Sequence, residues 1–182
     1  MMSCLADLLE SGNEATIRFF ASSLANEVLP SGTTEEHLKY VASIHAHWAL
    51  VSTSNTAGYE RLEPTLADVF EKYVLVEYEE NTLPRRVRLQ RLEIGASQII
   101  LHAGFLRDQS SHRGRHNHEY FEQIGASFYN TLSLETSGPK SELYMFMSKR
   151  FNRWTSVGCR MARTIKWESD TYRYGLKNIA QG

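Results

Sequence analysis

The sequence predicts an all-α protein: a single-domain bundle of about seven helices, with a central helix near residues 85–106. Apolar residues recur at helical spacing along most of the chain, and no run alternates in the way a half-buried strand does. Proline and glycine fall between the periodic runs. A chain of 182 residues, 42% of them apolar, suits one domain with a sizeable core. We assign residues 1–168 to this helical domain and residues 169–182 to a polar C-terminal tail.

Helix starts are visible at several positions because a side-chain oxygen there can accept hydrogen bonds from the first free amides. Thr33 with Glu36, and Thr65 with Asp68, have the spacing of a capping box. Asn117 is a candidate cap for the helix that follows it. The predicted helices are 3–10, 14–28, 34–51, 65–79, 85–106, 117–136 and 141–168.

The central helix carries two apolar stripes on opposite sides, which predicts that neighbouring helices pack against both. Its flanks are polar, and Glu93 and His102 lie on them. The first stripe is Leu89, Leu92, Ala96, Ile99 and Ala103, and the second is Val87, Ile94, Leu101 and Phe105.

The last predicted helix is the most amphipathic. Its apolar face includes Gly158, which indicates a close approach by another helix backbone. A basic row lies on the reverse face. This row has three interpretations: it contacts phosphates or an anionic surface, it is solvated, or it pairs with acidic residues of the same protein. The row consists of Lys149, Arg153, Arg160 and Arg163.

Charge is divided unevenly along the chain. Residues 1–80 carry four basic and thirteen acidic groups, a net charge of −9, and residues 81–182 carry a net charge of +8. Either the two halves face each other, within one subunit or across a dimer, or the basic half meets an outside anion. We expect the first arrangement and a homo-oligomer.

The stretch RDQSSHRGRHNHEYFEQIG, residues 107–125, raises the possibility of a metal site. His118 and Glu122 are four residues apart on a predicted helix, so both side chains can point the same way. The weak candidate ligands are His112, His116, His118 and Glu122. No HExxH pattern occurs, and the histidines lie in or beside a predicted surface loop. We therefore expect a solvated loop with no metal and no cofactor.

The same stretch is also a candidate anion site. Arg107, Arg113 and Arg115 precede the helix start at Asn117, where free amides and the helix dipole favour negative charge. The alternative is that these arginines only keep the loop soluble. No nucleotide-binding glycine pattern accompanies them, and nucleic acid is possible but not favoured.

Four residues are candidates for acid–base catalysis: His118, Glu122, Glu93 and His102. His45 lies on a buried helix face and is expected to be a hydrogen-bonded core histidine, with Glu93 as its interior partner if it acts in catalysis.

These patterns favour a non-enzymatic regulatory or interaction module over an enzyme. We expect it to bind an acidic protein or a phosphate-bearing ligand through a basic surface, which joins the 107–118 loop to the row on the last helix. The alternative is a small metal- or anion-dependent enzyme that uses the His and Glu groups. Two cysteines, no export pattern and no apolar run long enough for a membrane span indicate the cytoplasm.

Six short segments resemble, in order, a family of uncharacterised bacterial helical proteins. They are YVASIHAHW, LEPTLADVF, RLEIG, GFL, EYFEQIGASFYNTLS and LYMFMSKRF, within residues 40–165. The resemblance implies a helical domain and assigns no reaction, cofactor or partner. The family pattern has an aspartate after the glycine of RLEIG, where this chain has Ala96, and it lacks the His-rich loop.

Overall fold

The computed structural model describes residues 14–53, 62–75, 83–109 and 118–165. Within these residues the regular secondary structure is entirely helical, without strands, which confirms the predicted all-α bundle. The predicted helix 3–10 and the tail 169–182 lie outside the described residues. No helix in the described ranges is both long enough and apolar enough to cross a membrane.

Seven α-helices follow one another in the described residues, two of them extended by a π-helical turn. A 3₁₀ turn, Arg107–Gln109, follows the second π-helical turn. The helices are α1 Glu14–Ala25, α2 Glu35–Thr53, α3 Leu66–Phe70, α4 Arg85–Ile100, α5 His118–Glu135, α6 Pro139–Lys149 and α7 Phe151–Thr164. The π-helical turns are Glu71–Leu75 after α3 and Leu101–Phe105 after α4.

Helix α4 lies at the centre of the bundle, as its two apolar stripes predict. Every residue from Leu92 to Leu106 is buried, including the polar Glu93 and His102. Helix α4 packs against α5 and α3, and the π-helical turn that continues it packs against α7. From Leu92 onward the polar flanks of this segment are therefore inside the protein, where each group needs a hydrogen-bond partner.

The π-helical turn and α7 approach each other backbone to backbone. A Cβ atom on Gly104 would lie 2.8 Å from the carbonyl oxygen of Thr155, and one on Gly158 would lie 3.3 Å from the amide nitrogen of Phe105. Only glycine fits such a crossing without displacing a neighbour. The close approach predicted from Gly158 is present.

The predicted helix 141–168 is wrong in one respect, because it is two helices. Helix α6 ends at Lys149 and α7 begins at Phe151, with Arg150 between them at φ −118° and ψ 14°. Met147 and Trp154 are buried on either side of this break. The apolar spacing therefore continues across the bend, and periodicity alone does not reveal it.

The capping box at Thr65 forms as predicted at the start of α3. The one predicted at Thr33 and Glu36 is displaced by one residue. Thr34 and His37 cap α2 instead: the Thr34 amide donates to His37 Nδ1 at 3.1 Å, and the His37 amide to Thr34 Oγ1 at 3.4 Å. An imidazole nitrogen thus takes the place of a carboxylate in a reciprocal cap.

Candidate ligand-binding site

A cavity of about 480 Å³ opens between the first turns of α4, the end of α5 and the start of α6. Its inner wall carries Gln90, Glu93 and Tyr144, and its rim carries Arg85, Arg86, Glu135 and Lys140. The remaining lining residues are Leu89, Leu132 and Thr136. Apolar walls with a few convergent polar groups are typical of small-molecule sites.

Helical spacing explains why α4 supplies one side of the cavity. Arg86, Leu89, Gln90 and Glu93 are related as i, i+3, i+4 and i+7, so their side chains share one face of the helix. The rise of an α-helix separates the first and last of them by about 10 Å along the axis. One helix face therefore runs from an exposed cation to a buried carboxylate.

Glu93 is the buried carboxylate, with only 3% of its surface exposed. The Tyr40 hydroxyl donates to Glu93 Oε1 at 3.1 Å, and the Tyr129 hydroxyl oxygen lies 3.1 Å from that of Tyr40. A hydroxyl group has one proton to donate, and Tyr40 donates its proton to Glu93. Tyr129 is therefore the donor to Tyr40. The two hydroxyls thus form a chain that ends on the carboxylate.

Burial keeps both tyrosines of this hydrogen-bond chain protonated. It is the largest cause that raises the pKa of Tyr40 well above its ordinary value, and the neighbouring Tyr129 and Glu93 raise that pKa further. Burial also raises the pKa of Tyr129, partly opposed by its hydrogen bond with Tyr40. The two hydroxyls therefore remain neutral hydrogen-bond donors at physiological pH.

Part of the rim is already neutralised. Glu135 accepts from Arg85 Nε at 3.0 Å through one carboxylate oxygen and from Arg88 Nη2 at 2.5 Å through the other. Arg85 also donates to the Glu135 main-chain carbonyl, at the C-terminal end of α5. Positive charge is favourable at that end of a helix.

Two further cations lie on the rim. Arg86 is exposed and forms no ion pair with another described residue. Lys140 Nζ lies 5.6 Å from the centre of the Tyr144 ring. Neither α4 nor α6 has a side-chain N-cap, so the positive ends of two helix dipoles flank these cations. The rim therefore favours an anion.

The structure does not bring the four predicted acid–base residues together. Glu93 and His102 are nine residues apart on the same helical segment, about 13 Å along its axis. His102 Nε2 donates to the Glu63 carbonyl at 2.7 Å, and burial is the main cause that lowers the pKa of His102. Glu122 instead accepts a hydrogen bond from Thr155 at 2.5 Å.

His118 differs from the expectation of a solvated histidine, because its ring is buried at the start of α5, with 4% exposed. The other histidines predicted as weak ligands, His112 and His116, lie outside the described residues. Within the described ranges, no group of three or more His, Cys, Asp or Glu side chains is placed to hold a metal ion.

His45 is the core histidine that its helix position predicts. It is 2% exposed, and its Nδ1 donates to the Val41 carbonyl at 2.8 Å. Its ring packs against Phe20 and Phe105, and its hydrogen bond to Val41 is not directed at Glu93. Burial lowers the pKa of His45 to about 4, so the ring is neutral at physiological pH.

The predicted basic row divides into paired and unpaired cations. Arg160 Nε lies 3.3 Å from Glu27, and Arg163 binds Asp108 with two hydrogen bonds of 2.6 and 3.1 Å. Lys149 and Arg153 are exposed without an ion pair among the described residues, and so is the neighbouring Arg150.

The remaining predicted anion-site residues precede α5. Arg107 is partly exposed in the 3₁₀ turn after the π-helical turn, whereas Arg113 and Arg115 lie outside the described residues.

Sequence reasoning named Glu93 as an interior acid but missed its surroundings. The sequence shows three tyrosines in apolar helices that could have been named as its partners, because a buried carboxylate requires hydrogen-bond donors. They are Tyr40, Tyr129 and Tyr144. Arg86 and Lys140 had weaker signals, because Arg86 is one of three arginines at the start of α4 and Lys140 is a single cation in the first turn of α6.

No protein-family model, curated protein or solved structure matches this chain. The fold and the geometry of its own residues are therefore the basis for a functional assignment.

Proposed function

We propose that this protein is a non-enzymatic regulatory module that binds a small molecule bearing a carboxylate or phosphate. Its site is the cavity between α4, α5 and α6. The supporting observation is a space of about 480 Å³ whose rim carries cations at the starts of two helices. Its volume is within the range of about 300–1,000 Å³ typical of small-molecule pockets.

Anion binding at the rim depends on the positive charges that the rim's own carboxylate does not offset. Glu135 offsets one of the two positive charges of Arg85 and Arg88, and Arg86 is exposed without an ion pair among the described residues, so we expect Arg86 to contribute most to anion binding. An anion there would also meet the positive ends of α4 and α6. Glu142, in the first turn of α6, is exposed and is not part of the cavity wall.

Binding is favoured over catalysis because no acid–base set is assembled in this cavity. Glu93 is the acidic group on its inner wall, and the described contacts of His102 and Glu122 lie elsewhere in the bundle. General acid–base catalysis needs its groups within hydrogen-bond reach of one substrate.

A second candidate site is the basic surface formed by Lys149, Arg150 and Arg153 at the junction of α6 and α7. All three are exposed and make no ion pair with a described residue, which supports contact with an acidic protein. We propose that Arg113 and Arg115, which the sequence predicts to bind an anion, also belong to this basic surface. Surface cations are often only solvated, so the cavity is the stronger candidate.

We propose further that the chain works in the cytoplasm as a homo-oligomer, and that it is a bacterial protein, which is what the family resemblance implies. The opposite charges of its two halves support association through ion pairs. In that case the mass in solution decreases toward that of a monomer as salt rises. A monomeric mass at low salt contradicts it.

Calorimetric titration with pentanoate and with inorganic phosphate tests the cavity proposal. We expect saturable binding that the Arg86→Ala substitution weakens about tenfold, because a hydrogen bond to a charged group is lost. Arg153→Ala is the matched control, since it removes one exposed guanidinium far from the cavity in sequence and should leave the affinity unchanged.

Two outcomes contradict the proposal. If neither anion binds in an Arg86-dependent manner, the cavity is not an anion site. If Arg153→Ala weakens binding and Arg86→Ala does not, the basic surface at the α6–α7 junction is the site instead.

A further inference from the structure

We propose that His37 forms a pH-sensitive joint between the start of α2 and α6. The neutral imidazole caps α2 and stacks on Phe146 of α6, whereas the protonated imidazole gives up the cap and leaves that position. Neither residue lines the cavity, so this inference is independent of the proposed anion site.

The cap requires an unprotonated nitrogen on the His37 ring. The Thr34 amide donates to His37 Nδ1 at 3.1 Å, and the His37 amide donates in return to Thr34 Oγ1 at 3.4 Å. Because a main-chain amide can only donate, Nδ1 is an acceptor, and the single proton of the neutral ring lies on Nε2. The Thr34 hydroxyl lies 3.0 Å from Nδ1 and can serve as donor or acceptor. A second proton, on Nδ1, therefore deprives the Thr34 amide of its acceptor.

The ring that caps α2 also contacts α6. The planes of the His37 and Phe146 rings are 5° apart, and the ring centres are separated by 3.8 Å. Gly32, in the turn before α2, approaches the same phenyl ring, since a Cβ atom there would lie 3.7 Å from it. Phe146 in turn packs against the hydrophobic core. The start of α2 is thus attached to α6 through its own capping side chain.

Protonation of His37 disturbs both contacts. A proton on Nδ1 would face the hydrogen of the Thr34 amide across 3.1 Å, so either the ring or the turn must move. The new positive charge would also lie in the first turn of α2, where the helix dipole disfavours it. Because one ring makes the cap and the stack, a movement that separates it from Thr34 also changes its contact with Phe146.

The charged groups near this joint lie on α2 and α6. Burial is the largest cause that acts on the pKa of His37, and it lowers that pKa from 6.5, although Glu36 raises it. The turn at residues 30–33 has no titratable side chain. Exposed charged residues three or four positions from Phe146, and the other acid in the first turn of α2, complete the set: Glu142, Lys149, Arg150 and Glu35. The joint is therefore intact above pH 6.5 and weakens as the pH falls below it.

NMR of the intact chain with labelled histidine rings, recorded from about pH 5 to pH 8, tests this inference. We expect the His37 ring to titrate below pH 6.5. The resonances of the Thr34 amide and the Phe146 ring should shift with the same midpoint, whereas those of the fully buried Trp154 should not.

The matched control is His37→Glu, because a glutamate at this position completes an ordinary capping box with Thr34. Its carboxylate remains ionised above about pH 5.5, so the cap has an acceptor throughout the range above that value. The Thr34 and Phe146 resonances of this variant should therefore stay constant from about pH 5.5 to pH 8.

Three results would overturn the inference. A His37 ring that titrates at or above pH 6.5, or a Thr34 amide that does not follow it, shows that the ring is not the acceptor of the cap. A Phe146 ring that does not follow the other two shows that the cap is not joined to α6. Equal shifts in His37→Glu assign the titration to another group. The wild-type titration alone distinguishes the first two results, even if the variant does not fold.

Discussion

At the scale of single residues, Glu93 shows how this bundle accommodates a buried acid. Its carboxylate sits on the most buried helix, yet it accepts a hydrogen bond from Tyr40, which Tyr129 in turn supports. Both tyrosines remain neutral because burial raises the pKa of each. The buried carboxyl group of Glu93 therefore lies at the end of a chain of two neutral hydroxyl groups.

His45 is a buried group of the opposite kind, kept uncharged by its surroundings. Its imidazole packs between Phe20 and Phe105, and burial lowers its pKa from 6.5 to about 4. Between these pH values the unfolded chain binds a proton that the folded chain excludes. The free energy of unfolding therefore falls as the pH falls through this window, and His45 has no such effect at higher pH.

We predict that His45→Asn reduces this acid sensitivity. The asparagine amide keeps a donor for the Val41 carbonyl but cannot titrate. A difference of about 2.5 pKa units corresponds to about 3 kcal/mol, which the wild-type chain loses progressively between about pH 6.5 and pH 4. Urea unfolding at several pH values across this range measures the loss of unfolding free energy in both proteins.

The matched control is His37→Asn, because the His37 ring is only partly buried, whereas that of His45 is 2% exposed. It should change the pH dependence less than His45→Asn does. An unchanged slope in the His45 variant would contradict a neutral, buried imidazole.

At the scale of elements, the sequence predicts α4 well because its signal is strong and local. Two apolar stripes on opposite faces place it between neighbours, and residues Leu92 to Leu106 are buried as that requires. The bend at Arg150 is not predictable in this way. The residues Met147, Phe151 and Trp154 keep helical spacing through the bend, so the tertiary packing decides where the helix breaks.

The candidate site is less predictable than the helices that form it. Glu93 can be recognised as interior because it lies between Leu92 and Ile94 on a sandwiched helix. The cavity, in contrast, depends on where α4, α5 and α6 end relative to one another. Sequence periodicity carries no information about that arrangement, so Arg86 and Lys140 could not be joined to Glu93 beforehand.

The crossing of the π-helical turn with α7 gives an element-scale prediction. Gly104→Ala should lower the free energy of unfolding by about 1–3 kcal/mol, because the new methyl group meets the main chain of Thr155 and overpacks the contact. Denaturation in urea measures the effect.

Ser127→Ala is the control for this substitution, since it also ends in alanine, at an exposed position of α5, and removes a hydroxyl group that donates to the Ile124 carbonyl without adding an atom. It should change the free energy of unfolding by no more than about 0.5 kcal/mol. If Gly104→Ala proves equally mild, the two backbones are not in close contact.

At the scale of the whole molecule, opposite charges of the two halves do not account for all of the ion pairs. Arg160 with Glu27 joins the halves, whereas Arg163 with Asp108 and Arg85 with Glu135 lie within the basic half. Some arginines of the basic half therefore pair with carboxylates of that same half. Arg86, Lys149, Arg150 and Arg153 remain exposed, and they divide between the cavity rim and the α6–α7 junction.

The proposed function depends on which of these two places receives an anion. Amide chemical shifts recorded by NMR during a pentanoate titration locate the bound anion directly. We predict saturable shifts centred on the starts of α4 and α6, at Arg86 and Lys140, with smaller changes near Glu93. Shifts centred on Lys149 to Arg153, or no saturable shifts at all, would contradict it.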